Sequence, residues 1–398
     1  MLVHWMWLHL LKNLTLRQKK ALLQRCTDPE QLYQADEKTL KRIEGISVPM
    51  VEALMQKDLR PAQKILDDCT EKHIGILTYY DSGYPGKLRS IHHPPLILFY
   101  KGTLPDWGGR PAIGVVGTRK ATPYGLRISR NMGYQIAGAG ALVVSGGAAG
   151  IDAEALYGAL QAGKPAVAVL GCGVDVVYPA ANRDLFEKLE QCGCILSEYI
   201  PGTRPDRWRF PERNRIISGI SSGILVVEAP ERSGALNTAR HAKEHGRDVF
   251  VVTGNIDNPL CTGSNALLDE GAVSVRSGWQ LVESYESLYP GVLHRFEEQI
   301  AQQAEPAAPI QRPAPKAKPT KKPIDNRKKS NYSVLDRENK SYTPEEQAIL
   351  ACLKPTPCPV DEVIATTGLP AQRVLSLLTM LTLKGAVQNH PGKCVSIK

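Results

Sequence analysis

At 398 residues, with 42% hydrophobic and 22% charged side chains, the sequence excludes a chain disordered throughout and a membrane protein, and its length implies two or three domains. A formal charge of +9 points to an anionic partner, but residues 301–340 hold ten Lys or Arg against four Asp or Glu, a net of +6, which leaves +3 for the rest. Any case for nucleic acid therefore rests on local clusters.

The first segment, MLVHWMWLHLLKNL, lacks the basic start and the small-residue cleavage site of a secretion signal, and continues as an amphipathic pattern; neither a signal nor a membrane span is expected. Nine scattered cysteines without a CxxC pair fit a reducing cytoplasm. Residues 1–75 carry helical periodicity. Within them LKRIEGISVPMVEALM, Leu40 to Met55, reads as helix, tight Gly-containing turn, helix. Such a helix-hairpin-helix, SAM-like domain either presents turn amides to a phosphate or packs as a small structural module.

From about 110 to 290, the runs AIGVV (112–116), ALVVS (141–145), AVAVL (166–170), GILVVEA (223–229) and DVFVVTG (248–254) are β-branched and without alternation, as strands buried on both faces require. Helical stretches fall between them, around 124–139, 152–163, 182–192 and 235–246. This spacing predicts an α/β fold with a doubly wound, mostly parallel, Rossmann-like sheet over 76–290. The segment 291–341, containing EPAAPIQRPAPKAKPTKKP, has too little apolar surface to order and reads as a disordered, cationic linker. Beyond it, YTPEEQAILACL, PVDEVIATTGL and PAQRVLSLLTMLTLKGAV predict three helices and VQNHPGKCVSIK a hairpin, the order of a winged helix over 342–398.

GVVGTRKATPYG, Gly114 to Gly125, leaves a strand and opens a helix, where loop amides and a helix N-terminus hold phosphate. Gly117 lies at that turn, and Arg119 and Lys120 add charge. The following strand ends Ser145-Gly146-Gly147 with no acid to hold a ribose, which disfavours NAD. SGGAAGID, Ser145 to Asp152, supplies a second turn through Gly146, Gly147, Ala148 and Gly150; its glycines either cradle another phosphate or only permit tight turns. GALQAGK, Gly158 to Lys164, imitates a nucleoside-triphosphate loop, but Pro165 replaces the magnesium-binding hydroxyl and the segment leads into a strand.

RPDRWRFPERNR, Arg204 to Arg215, reads as a loop with five arginines, Trp208 and Phe210 against two acids. Arg213, Asn214 and Arg215 suit phosphates and base edges, and the rings suit the unstacked bases of a single strand. The alternative puts the rings in the core and pairs the arginines with Asp206 and Glu212. Ser233, Gly234 and Thr238 introduce a further helix, as do Gly263, Ser264 and Asn265, all on the same carboxyl edge of the sheet. No paired carboxylates, no nucleophile beside a base and no metal-ligand spacing accompany them; His241 and His245, four apart, lack a third ligand. A non-enzymatic rim for a polynucleotide, without cofactor or metal, is expected.

The ordered series DSGYPGKLRSIHHPPLILFYKG (81–102), GTRKATPYG, SGGAAGID, GCGVDVVYPAANRDLF (171–186), ILSEYIPGTRP, FPERNRIISGIS, EAPERSGALNTARHA and GSNALLDEGA closely resembles the DNA-processing protein A (DprA/Smf) family over roughly residues 75–290. The resemblance implies a single-stranded DNA-binding protein of natural transformation that protects incoming DNA and helps load the recombinase RecA. It also implies a homodimer through the central domain, with Arg119, Ser145, Gly146, Gly150, Arg213, Asn214 and Arg215 along the DNA groove. The sequence departs from the family pattern at Asn237 and Thr253. Two other classes stay open at this stage. A phosphoribohydrolase-like nucleotide-processing enzyme would need a glutamate where His241 stands, and a duplex-binding regulator would act through LPAQRVLSLLTMLTLKG, whose cations are Arg373 and Lys384.

Overall fold

The computed structural model describes residues 2–295 and 342–397, apart from 355, 357 and 391–393, and these form two compact units. Most of the expected linker, 296–341, and the turn of the C-terminal hairpin lie outside the described residues.

The first unit opens with six short helices: α1 (Leu2–Leu10), α2 (Leu16–Arg25), α3 (Pro29–Gln34), α4 (Glu37–Arg42), α5 (Val48–Leu54) and α6 (Arg60–Glu71). Side-chain caps start three of them. Thr15 and Gln18 form a capping box on α2, and Asp28 and Asp36 accept amides at the heads of α3 and α4. The expected hairpin is α4 and α5, joined through Gly45. Trp7, Leu8, Leu23 and Leu54 are buried in one cluster with residues of the following sheet, and the Tyr80 hydroxyl donates to the Leu23 carbonyl at 2.9 Å. The helices thus share a core with the sheet.

That sheet has nine strands: β1 (Gly75–Thr78), β2 (Ile97–Gly102), β3 (Ala112–Val116), β4 (Leu142–Ser145), β5 (Ala166–Leu170), β6 (Cys194–Ser197), β7 (Gly223–Val226), β8 (Asp248–Val251) and β9 (Val273–Ser274), in the order β1-β2-β6-β5-β4-β3-β7-β8-β9. From β6 to β9 all neighbours are parallel; β2 pairs antiparallel with both β1 and β6. The helices between them are α7 (Gly86–Arg89), α8 (Pro123–Gly138), α9 (Ile151–Gln161), α10 (Arg183–Cys192), α11 (Arg209–Ile220), α12 (Gly234–Glu244) and α13 (Thr262–Asp269), and α14 (Gly278–Val282) follows β9. Apolar residues of α8, α9 and α10 cover one face of the sheet, and those of α7, α11, α12 and α13 the other. The doubly wound expectation holds. Chain order runs away from β3 in both directions, toward β6 and toward β9, so the topological switch point lies between β3 and β7.

One sequence expectation is corrected. The arginine-rich stretch is not a loop from end to end, because α11 begins at Arg209. Pro211 sits in its first turn, where a missing amide hydrogen leaves no bond unmade, and Ile216, Ile217 and Ile220 bury their side chains under the sheet.

The second unit has α15 (Pro344–Cys352), β10 (Cys358–Pro359), α16 (Val360–Thr367), α17 (Ala371–Leu383), β11 (Val387–His390) and β12 (Cys394–Ile397), with the strands ordered β10-β12-β11. This is the expected winged helix. Its core joins Ile349, Val363, Val374, Leu381 and Val395. Both cations named above are engaged within it: Arg373 donates to Glu345 at 2.6 Å and Lys384 to Glu346 at 2.6 Å.

Candidate nucleic-acid interface

Outside the carboxyl ends of β3 and β7 lies a cleft of about 390 Å3. Open α/β sheets hold their ligands at this position. Its walls are the loop after β3 (Gly117, Arg119, Lys120), Ala148, the first two turns of α11 (Phe210, Arg213, Asn214) and the start of α12 (Ser233, Gly234, Thr238), with Arg207 and Arg232 at the sides. The exposed charges are Arg119, Lys120, Arg207 and Arg232. The Arg119 guanidinium lies 4.8 Å from the centre of the Phe210 ring, and Tyr178 leans on the same ring at 5.5 Å between centroids.

The two expected phosphate cradles have a different occupant: each holds a carboxylate of the protein itself. Glu228, 1% exposed, turns back onto the start of α8, where it accepts the Thr122 amide at 2.9 Å and the Thr122 hydroxyl at 2.5 Å. Gly125 belongs here because a Cβ would run into that carboxylate. Asp152, in the first turn of α9, accepts the Gly146 amide at 3.1 Å and is held by the Ala148 and Gly117 amides. Converging amides at a helix N-terminus favour an anion, and here acids from inside the chain provide it. Burial pushes the Asp152 pKa up, opposed by the nearby Arg213 guanidinium. Gly150 ties this turn to the neighbouring loop: its φ of +86° suits glycine, and a side chain would meet the Thr118 carbonyl.

The FPERNR residues take four separate positions. Phe210 faces the cleft. Arg213, 4% exposed, extends beneath it and donates through Nη1 to the Gly146 carbonyl at 2.6 Å and to the Val169 carbonyl. Asn214 links Arg213 Nε to the Gly234 carbonyl, holding α11 against the start of α12. Arg215 points to the opposite side of α11 and grips both carboxylate oxygens of Glu198 at 2.8 and 2.6 Å. The last arrangement corrects the expectation that Arg215 shares the groove with Arg119.

Ser145 is also corrected, since its hydroxyl is fully buried and donates to the Val115 carbonyl at 2.6 Å. Gly146 and Gly147 are buried in the turn, and Asn265 directs its amide at the backbone of Gly254 rather than into the cleft. Ten of the expected residues do line one cavity: Gly117, Arg119, Lys120, Ala148, Phe210, Arg213, Asn214, Ser233, Gly234 and Thr238. Sequence reasoning did not single out Arg207 or Arg232. Both lie inside quoted stretches, Arg207 in RPDRWRFPERNR and Arg232 in EAPERSGALNTARHA, so the arginines within those loops were the available signal. Among the described residues no group of three His, Cys, Asp or Glu is placed to hold a metal, and no helix is long and apolar enough to cross a membrane.

The family model for DNA recombination-mediator protein A matches residues 75–286, and that for the DprA winged helix domain matches 334–393. The chain belongs to the DprA/Smf family. Protein Smf of Synechocystis sp. is 35% identical over 91% of this chain and 90% of its own length. The DNA processing protein DprA of Streptococcus pneumoniae is 40% identical over 57% of this chain and 74% of its own. The X-ray structure of DNA processing protein A from Streptococcus pneumoniae aligns with a TM-score of 0.60 at 34% identity, covering 71% of this chain and 96% of that one. The resemblance read from the motifs is borne out, and the DprA/Smf sheet domain begins at β1, where the helical segment ends.

Proposed function

We propose that the cleft binds single-stranded DNA without cutting or modifying it. The observation that carries this reading is the Arg119 guanidinium over the Phe210 ring, in a cleft whose exposed charges are all positive. A ring already paired with a guanidinium offers an unstacked base a ready partner, whereas the bases of a duplex have no free face. The winged helix supports the duplex alternative poorly, because Arg373 and Lys384 are neutralised within their own unit. On this reading, and as the family resemblance implies, the protein protects incoming DNA in natural transformation, promotes RecA loading and works as a homodimer in the cytoplasm.

Fluorescence anisotropy with a single strand and its duplex, at equal length and without added nucleotide, tests the proposal. The single strand should bind more tightly, and Arg119→Ala or Phe210→Ala should each weaken it by about 1–3 kcal/mol. A preference for duplex, or full affinity in both folded variants, would overturn it.

A further inference from the structure

The first turn of α11 is a ridge with a groove on each side. Phe210 and Arg213 face the cleft just described; Arg209, Glu212 and Arg215 face a second groove of about 910 Å3, and Pro211 borders both. We propose that a single strand leaving the cleft crosses the ridge at Pro211 and continues into this second groove, where a base stacks on Trp208. The proposal rests on the single-strand reading of the cleft and extends its length.

Three observations carry it. Trp208 is 56% exposed, although Trp5 and Trp7 of the same unit are 6% and 2% exposed. An exposed tryptophan is a sequence-tolerant platform for a base. The ring is also fixed in place, because the Arg209 guanidinium lies between it and Tyr199, 4.8 Å from the first ring and 5.3 Å from the second. The ridge is braced by Asn237, whose amide donates to the Pro211 carbonyl at 3.3 Å; this residue is one of the two that depart from the family pattern.

The second observation is donor capacity left over. Arg215 gives Nη2 to Glu198, while its Nη1 is buried without a hydrogen-bond partner, as is Nε of Arg209. Buried guanidinium donors without acceptors are costly, and a phosphate or base oxygen entering the groove would satisfy them after a small side-chain shift. The third is charge. Arg209, Arg215 and Arg240 line the groove against Glu198 and Glu212; Arg215 is paired with Glu198, and Arg240, with 68% of its side chain exposed, meets Glu244 at 3.8 Å and donates to Asn237. A peptide partner would also value tryptophan and arginine, but continuity with the cationic cleft favours the same polyanion.

The test is a length series of oligothymidylates, from about 3 to about 15 nucleotides, against wild type, Trp208→Ala, Trp208→Phe and Phe210→Ala, each checked for folding by circular dichroism. Trp208→Ala should leave the shortest oligomers unaffected and weaken the longer ones by about 5- to 150-fold, with Trp208→Phe close to wild type. Intrinsic tryptophan fluorescence should be quenched by long oligomers and not by short ones. If Trp208→Ala binds every length as wild type does while Phe210→Ala is weakened, the second groove is refuted and the cleft stands. If wild type binds no single strand at any length, both fail together.

Discussion

Arg119 and Arg213 are indistinguishable as letters in basic motifs, yet their environments give them opposite duties. Arg119 is exposed, and its guanidinium lies over the Phe210 ring. Arg213 is buried against Asp152, and burial lowers its pKa from the usual guanidinium range while raising that of the acid. Each charge offsets the desolvation of the other. Arg213→Ala would strip the Gly146 and Val169 carbonyls of their donor and leave a buried acid without its counter-charge, a loss of about 3–5 kcal/mol. Arg119→Ala should change stability by less than about 0.5 kcal/mol. Urea denaturation separates the two: the unfolding midpoint should drop sharply for Arg213→Ala and hardly move for Arg119→Ala. An unchanged midpoint for Arg213→Ala would show that these buried contacts add nothing to stability.

At the scale of elements, what was legible in the sequence follows burial. Strands β3, β4, β5, β7 and β8 are covered on both faces, so apolar runs such as AVAVL at 166–170 announced them. Helix α11 was hidden because its first turn carries Pro211 and charges, and its apolar residues appear only at Ile216, Ile217 and Ile220. The carboxylates filling the phosphate cradles were illegible for another reason: Glu228 is 106 positions from Thr122, and nothing local links them. The docking of α12 on α11 carries a pH dependence as well. His245 ends α12 and meets the Ser218 hydroxyl of α11 at 3.0 Å. A cation at a helix C-terminus is normally favoured, but burial, assisted by His241 and Arg247, overrides this and lowers the His245 pKa to about 4. The unfolded chain, titrating near 6.5, therefore takes up a proton that the folded chain refuses. Stability from this group is complete above about pH 6.5 and falls as the pH drops toward 4. The urea midpoint should decline from about pH 7 to about pH 5 by less in His245→Gln than in wild type. Equal declines would show that the α11–α12 contact is indifferent to this proton.

Across the whole molecule, the cations divide into a fixed set and a sequence-distant set. The cleft presents Arg119, Lys120, Arg207 and Arg232, four groups able to neutralise phosphates. A single strand releases counterions with a slope near −0.7 in log affinity against log salt for each phosphate neutralised, so the cleft by itself accounts for a slope of about −3. Residues 301–340 bring ten Lys or Arg against four Asp or Glu, more net charge than the cleft carries. The salt dependence of a long strand tests whether that charge, carried on the same chain, adds to the affinity of the cleft. The full-length protein should therefore show a steeper slope on a long single strand than the protein lacking 301–340, whose slope is set by the cleft and the second groove alone. On an oligomer that only fills the cleft, the two proteins should give the same slope. Identical slopes on the long strand would assign all salt-sensitive contacts to the sheet rim and leave the basic segment as a tether for the winged helix.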